Sequence, residues 1–447
     1  MSRIRGGVFC PHLFVVMLAL CAAVPAMAQP AVLEEIPVAP VWAGHPVGFC
    51  LLTDAPRQYV AFYDADRWMT VGVWSLDTPG WAFARLPERV GWDSHNSITM
   101  VLDDAGHIHL CGNMHVDPLV YYRTTAPGDI TTFQRIHRMV GPQEDRCTYP
   151  QFLRGADNEL VFTYRDGKSG SGNQIYNAYD VKTEKWRRLL DTPLTDGEGK
   201  ANAYFQGPVK GPDGLFHLCW VWRNHPGCES NHDLSYARSR DLVHWEDGKG
   251  NPLPLPIKLA DCDIVDPVPP KGGMINGNHK IGFDSQKRPV IAYHKFDADG
   301  NTQLFNARLE DGAWVLHQTS DWDYRWWFEG GGSMIFEIKV GAVKPAGPGK
   351  LAQTWEHVKY GTGGWFLDEA TLRPVGDFER ARPYPQELAA VRTDHPDMQV
   401  NWCAESGTGV PGGRYALRWE TMTSHRDRPR EAYPAPGMLM LYRFGAE

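Results

Sequence analysis

The sequence predicts an all-β chain folded as a seven-bladed β-propeller, and three observations carry that expectation. Turn signals followed by short β-rich runs recur along the chain. Capped amphipathic helical stretches are nearly absent. Gly (45), Pro (34) and Trp (17) are abundant, which favours an all-β ring over an α/β fold.

In chain order, the first element is a leader. Arg3 and Arg5 give a positive start, Leu13 to Val24 is mostly apolar, and Ala26-Met27-Ala28 is a small-x-small cleavage site. Residues 1–28 thus read as a signal peptide, and 29–447 as one catalytic β-propeller domain, secreted or periplasmic. The apolar run is too short for a membrane span, and no later stretch reaches about 20 apolar residues.

The recurring unit follows. Asp103-Asp104-Ala105-Gly106 precedes Ile108–Leu110, and Ala156-Asp157-Asn158 precedes Leu160–Phe162. The pattern returns at Pro212-Asp213-Gly214 and at Asp284-Ser285-Gln286-Lys287. These turns stand about 50 to 75 residues apart, room for one four-stranded blade with its loops. At about 60 residues per blade, the roughly 419 residues after the leader make about seven blades. Ser239-Arg240-Asp241-Leu242-Val243-His244-Trp245 resembles a shortened Asp-box, the turn of sialidase-type blades. A pair of β-sandwiches is the structural rival.

Charge and cysteine narrow the class. The formal net charge is −8, and loss of Arg3 and Arg5 makes it −10, a poor balance for non-specific nucleic-acid binding. A polyanionic substrate therefore needs a locally basic groove, for which Arg146, Arg165, Lys168 and Arg223 are available. Of nine cysteines, seven lie after the leader (Cys50, Cys111, Cys147, Cys219, Cys228, Cys262, Cys403), without framework spacing. Most read as small buried residues, with room for one or two bridges.

The chemistry concentrates between Gly91 and Arg165. Gly91-Trp92-Asp93-Ser94-His95-Asn96, Gly112-Asn113-Met114-His115, Cys147-Thr148-Tyr149-Pro150 and Tyr164-Arg165-Asp166-Gly167 bring two imidazoles, a phenol and a guanidinium. Cleaving a 4-linked uronic acid by elimination removes the proton on C5, α to a carboxylate. A bidentate cation must neutralise that carboxylate, as Arg does. A base of moderate pKa takes the proton, and an acid protonates the departing oxygen at C4. No nucleophile, external water or redox cofactor is consumed. Each residue also has a structural role open to it: Tyr149 shielding a blade edge before Pro150, Arg165 pairing with Asp166, the histidines packing.

Longer strings carry a resemblance. Gly91–Ser97, Gly112–Val116, Tyr149–Phe152, Phe162–Gly170, Asn231–Ser239, Asn276–Lys280, Tyr293–Asp297 and Tyr415–Glu420 resemble the β-propeller ulvan lyases of polysaccharide lyase families 24 and 25, within the BNR-4 repeat group. The resemblance implies a seven-bladed propeller that cleaves between rhamnose 3-sulfate and a uronic acid. By motif, His95 and Tyr149 would be the acid/base pair and Arg165 the carboxylate neutraliser. His115 would be a second catalytic or positioning imidazole, and Tyr204 a substrate contact. Arg223, Asn231 and Lys168 join Tyr204 as expected substrate-binding residues.

Some members of that group hold a structural zinc near the site. Here His225, Cys228 and His232 have ligand spacing, with His279 or His294 as a distant fourth. The chemistry itself requires no cofactor. The expected partner is an acidic polysaccharide substrate, with no nucleic acid and no membrane insertion, and the protein is expected to be a monomer. A sialidase-like glycoside hydrolase propeller, drawing on Asp93, Asp117, Asp166 and Asp233, is the first alternative. A non-catalytic carbohydrate-binding propeller, with Trp326-Trp327 as stacking platforms, is the second.

Overall fold

The computed structural model describes residues 30–77, 80–409 and 412–445; the expected signal peptide lies outside them. Among these residues there are 32 strands, three short 3-10 turns and no α-helix. Among the described residues no helix is long and apolar enough to cross a membrane.

The strands form seven sheets of four or five strands, antiparallel except where Ser406–Gly407 pairs parallel with Cys50–Asp54. Six follow one another along the chain, running from Cys50 to Arg89, Thr99 to Arg135, His115 to Arg188, Asn202 to Asp266, Lys280 to Gln318 and Ile338 to Phe378, with the second and third overlapping at His115–Asp117. The seventh joins the two ends of the chain: strand Val32–Val41 pairs with Gly437–Gly445, which continues through Gly413–Met422 to Met398–Ala404.

The recurring Asp turns are the hairpins between the first two long strands of a sheet. Asp103 Oδ1 accepts from the amides of Ala105 and His107 at 3.0 and 2.9 Å. Asp284 Oδ1 does the same for Gln286 and Arg288 at 3.0 and 2.9 Å. A carboxylate that satisfies two amides in this way fixes the reversal without help from packing. The Asp-box turn is also built. Asp241 Oδ1 accepts from Val243 and His244 at 2.9 and 2.8 Å, and the buried Trp245 indole donates to Leu242 O at 3.0 Å.

The inner strands are buried along most of their length, as in Leu160–Asp166 and Phe216–Arg223, and their side chains fill the space between neighbouring sheets. Val161, Tyr176, Leu218, Trp220 and Trp222 pack the third sheet onto the fourth. Tyr204, Cys219, Tyr236, Ile291 and Tyr293 pack the fourth onto the fifth. Trp220, Trp222, Trp245 and Trp326 are among the largest fully buried side chains, so most of the indoles serve packing. Trp326 is no platform, because its ring lies inside with Phe328 and His294; Trp327 beside it is exposed. The seven cysteines of the described residues are free thiols, four of them buried, and form no bridge.

In an up-and-down meander, hairpins between the first and second strands lie at one end. Those between the second and third strands, and the links to the next sheet, lie at the other. The Asp turns occupy the first end. The loops containing His95, His115, Ser169, His225, Asn276 and Ser333 occupy the second.

Candidate active site

Each candidate side chain is placed by a local backbone feature. Asp93 and His95 lie in the link between strands Trp81–Arg89 and Thr99–Leu102. His115 lies in the hairpin that follows Ile108–Cys111, and pairs across to Thr148. The next residue, Val116, holds φ +69°, a costly conformation for a β-branched residue, and its amide donates to Thr148 Oγ1 at 2.8 Å. Tyr149 sits in a bulge between Thr148 and Gln151 with φ +55°. Such a bulge re-aims a side chain that regular pairing would leave in the sheet. Arg165 pairs with Thr148 from the neighbouring strand. Gly172 leaves room for it, since a Cβ there would stand 2.7 Å from Arg165 Cδ.

The four predicted groups converge. Asp93 bridges the histidines: Oδ1 is 2.6 Å from His95 Nδ1, and Oδ2 is 2.5 Å from His115 Nδ1. The two imidazoles stack with centroids 4.3 Å apart. The Tyr149 ring lies 5.8 Å from His95 and 6.0 Å from His115, with the Arg165 guanidinium 5.0 Å over its other side. Arg165 is buried; its Nε donates to Gly167 O and its Nη1 to the Tyr204 hydroxyl, both at 3.2 Å. Its Nη2 has no hydrogen-bond partner among the described residues. Tyr204 in turn donates to Ser169 Oγ at 2.7 Å.

These contacts separate the proton affinities of the groups. Burial would raise the Asp93 carboxyl, but hydrogen bonds from His115 and His95 outweigh it and hold it well below the usual carboxylate range. Asp93 accepts from both Nδ1–H groups, which turns each Nε2 away from the carboxylate. Burial, reinforced by Tyr204, pushes the Tyr149 phenol up despite the charges of Arg165 and Arg223. Tyr204 moves the other way: burial is overcome by those same two cations and by hydrogen bonds with Ser169 and Arg165. The two neighbouring phenols thus differ in proton affinity, Tyr149 raised and Tyr204 lowered.

A cavity of about 320 Å³ opens on this cluster, lined by His95, His115, Tyr149, Tyr204 and Arg223, and across from them by Ile275, Asn276, Ser333, Met334 and Phe336. A larger cavity of about 930 Å³, lined by Asp54, Asp103, Arg154 and Cys403 among others, holds none of the candidate catalytic groups.

The other expected residues fall differently. Arg223 lines the cavity, fixed by His225 O at 3.2 Å, by Pro226 O and by Asn276 Oδ1 at 3.2 Å. Asn231 does not line it; it is 1 % exposed and donates to Cys228 O and Asn276 Oδ1, so it supports Arg223 from behind. Lys168 is exposed in the hairpin next to Ser169, outside the lining. Arg146 is also exposed and reaches Asp166 at 3.5 Å.

The expected zinc ligands do not assemble. Both His232 nitrogens are engaged, with Asp233 at 2.8 Å and Asn224 at 2.7 Å. His225 Nδ1 accepts from Gly227, and Cys228 Sγ stands 3.9 Å from Met334 Sδ. Among the described residues the one group of three with donor atoms close enough for a metal is Asp93, His95 and His115, without His279 or His294. The residues expected to hold a zinc thus do not fit one.

Sequence reasoning missed Asn276 and Ser169 as lining residues, together with the Gly332–Phe336 wall and Asp427. Asp427 Oδ1 accepts from the Ser94 amide and hydroxyl at 3.1 and 2.7 Å, and its Oδ2 from the Ser333 amide at 2.8 Å. The Glu329-Gly330-Gly331-Gly332-Ser333 run was the available sign of a close-packed wall.

With the site in view, the likenesses to known proteins can be weighed. A stretch of 137 residues is 27% identical to the short isoform of ulvan lyase from Alteromonas sp. (strain LOR), covering 28% of this chain and 26% of that protein. The match thus spans about a quarter of that relative's length. The structure of the polysaccharide lyase Uly1 superimposes with a TM-score of 0.64 at 15% identity, over 94% of this chain and 100% of the other. A PL25 ulvan lyase gives 0.58 at 14% identity, over 93% and 96%. The same enzyme type bound to -[GlcA(1-4)Rha3S]- gives 0.58 at 13%, over 93% and 96%. At these identities the likeness is one of fold. Residues 57–322, more than half of the chain, match the BNR repeat-containing family, BNR_4, and the chain belongs to that family.

Proposed function

We propose that this protein is an exported polysaccharide lyase, a single seven-bladed propeller whose blades are the seven sheets. It cleaves a linkage between rhamnose and a 4-linked uronic acid by β-elimination. One observation carries the reading: two imidazoles share the Asp93 carboxylate and face a phenol, Tyr149, that lies against Arg165. The ulvan lyase of Alteromonas and the PL25 enzyme seen with a glucuronate–rhamnose 3-sulfate ligand support the substrate class.

In this mechanism the uronate carboxylate meets Arg165, whose buried Nη2 has a donor to spare. Pairing there acidifies C5–H and stabilises the charge that develops beside it. Nε2 of His95 takes the proton, with His115 beside it and Asp93 holding both rings in the required tautomer. The electron pair forms C4=C5, the C4–O bond breaks, and the Tyr149 hydroxyl protonates the departing oxygen. Tyr149 then recovers its proton from the imidazolium through solvent. Tyr204, held between Arg165 and Arg223, orients Arg165.

A hydrolytic reading fits less well. Both Asp93 oxygens are taken by histidines, Asp166 faces Arg146, and Asp233 faces His232. No pair of free carboxylates flanks the cavity for acid and nucleophile roles. Purified protein incubated with ulvan, and in parallel with gum arabic, tests the proposal by ultraviolet absorbance. A rising signal from the unsaturated uronate is expected on one of them. New reducing ends without absorbance would mean hydrolysis, and binding without either would mean a non-catalytic module.

A further inference from the structure

The Asp93 bridge treats the two histidines almost alike, yet a second carboxylate does not. Asp427 Oδ2 lies 3.5 Å from His95 Nδ1. His95 Nδ1 thus faces two carboxylates, while His115 Nδ1 faces Asp93 alone. The remaining charged or titratable groups about His95 are His115 stacked on it, Tyr149 at its edge and, behind that phenol, Arg165.

Asp427 comes from the loop between strands Gly413–Met422 and Gly437–Gly445, beyond residue 322 where the family match ends. Its carboxylate is mostly buried and has three further donors: the Ser94 amide, the Ser94 hydroxyl and the Ser333 amide. It therefore ties the His95 segment to the glycine-rich wall opposite. The backbone is strained to do so, because Arg426 and Asp427 are consecutive non-glycine residues with φ +55° and +59°, a pairing that persists only where surroundings enforce it. The wall is shaped to match: Gly332 has φ +78°, and a Cβ there would stand 2.6 Å from Arg426 O. Arg426 N donates to Ser333 O at 3.1 Å, and its guanidinium to Gly331 O at 3.1 Å.

We propose that Asp427 is a positioning residue that makes the paired histidines unequal, orienting His95 and enhancing its proton affinity so that His95, not His115, is the base. This rests on the lyase reading. A negative charge at 3.5 Å favours the protonated ring and so strengthens the base. Ser94 and Ser333 fix that charge on the Nδ1 side and leave Nε2 directed at substrate.

The test is D427N in the full-length enzyme, read in two ways. In steady-state kinetics, kcat should fall by about 10-fold or more with KM within about twofold. The acid limb of the pH–kcat profile should move down by roughly one unit, because the base loses a neighbouring anion. In NMR spectra of enzyme with 13C-labelled histidine, the midpoint of His95 should move down and that of His115 should move less. Equal shifts in both rings, or an unmoved His95 and an unmoved limb, would overturn the proposal and leave Asp427 a structural tie. Should D427N fail to fold, S94A carries the test. Removing the Ser94 hydroxyl leaves the Asp427 charge but no longer fixes it on the Nδ1 side, so kcat should fall a few-fold and the acid limb should move, and wild-type behaviour at every pH would overturn the proposal. The NMR readout needs no substrate. A wild-type protein without turnover whose His95 still responds to D427N would sink the lyase reading while keeping the coupling of Asp427 to His95.

Discussion

His95 and His115 lie face to face, ring centroids 4.3 Å apart, with their Nδ1 atoms on opposite oxygens of one carboxylate. The carboxylate accepts from both rings and so holds them in register. The arrangement fixes both tautomers at once and turns both Nε2 atoms away from the carboxylate.

Replacing Asp93 by Asn removes that charge and forces one imidazole to face an amide. The expected outcome is a loss in kcat of about 10²-fold or more, in the range for removing general-base function. Stability should respond to pH in a set direction. The folded carboxyl is held below its unfolded value, so the stabilisation is full above about pH 4 and is lost as pH falls below that. Thermal melts of wild type and D93N should therefore differ at pH 7 and converge toward pH 3. A constant difference would show that Asp93 contributes through packing alone.

Tyr149→Phe deletes one oxygen and leaves the bulge intact. Activity should fall by about 10²- to 10⁴-fold with an unchanged melt. Because burial raises this phenol, wild-type turnover should persist to a higher pH than an ordinary tyrosine acid allows, with no alkaline limb below about pH 10. Near-normal turnover by Y149F would remove it from the mechanism.

Arg165→Lys keeps the charge but loses the fork that donates to Gly167 and Tyr204 and, in the proposed mechanism, to the uronate carboxylate. A fall in kcat/KM of about 100-fold is expected, since a point charge cannot reproduce bidentate pairing. Lysine restoring more than half the activity would show that charge alone suffices.

Trp245→Ala tests the fold apart from the chemistry. The indole is buried and closes the Asp-box turn through Leu242 O. Its loss should cost about 3 to 5 kcal/mol by denaturant unfolding, while turnover per folded molecule stays unchanged. A reduced kcat in folded W245A would mean that this turn communicates with the site.

Chelation offers a separate check. Because His225, Cys228 and His232 are committed to other contacts, prolonged EDTA treatment should alter neither melt nor turnover. Loss restored by added zinc would place a metal either there or at Asp93, His95 and His115, whose donor atoms lie close enough for one.

The turns were legible in the sequence because an Asp side chain that caps its own hairpin is a local device. His95, His115, Tyr149 and Arg165 were legible for a related reason. They occupy successive loops and strands, so a short stretch of chain already contains most of the site. Asp427 was not, because it reaches Ser94 and His95 only when the ends of the chain join in one sheet, more than 300 residues apart. Asn231 and the zinc set show the opposite error. A distinctive string marked Asn231, but the string maintains a buried hydrogen-bond network behind Arg223. Ligand spacing suggested a metal, but His232 leads a strand whose side-chain partners, Asp233 and Asn224, satisfy both ring nitrogens.

The most direct test of the central claim is the mass of the products from wild-type digestion of a rhamnose–uronate polysaccharide, taken from the reaction followed by absorbance. Elimination predicts fragments short by one water relative to hydrolysis, with the double bond at the new non-reducing end, and none from R165A. Fragments carrying the full water, or unsaturated products undiminished in R165A, would contradict it.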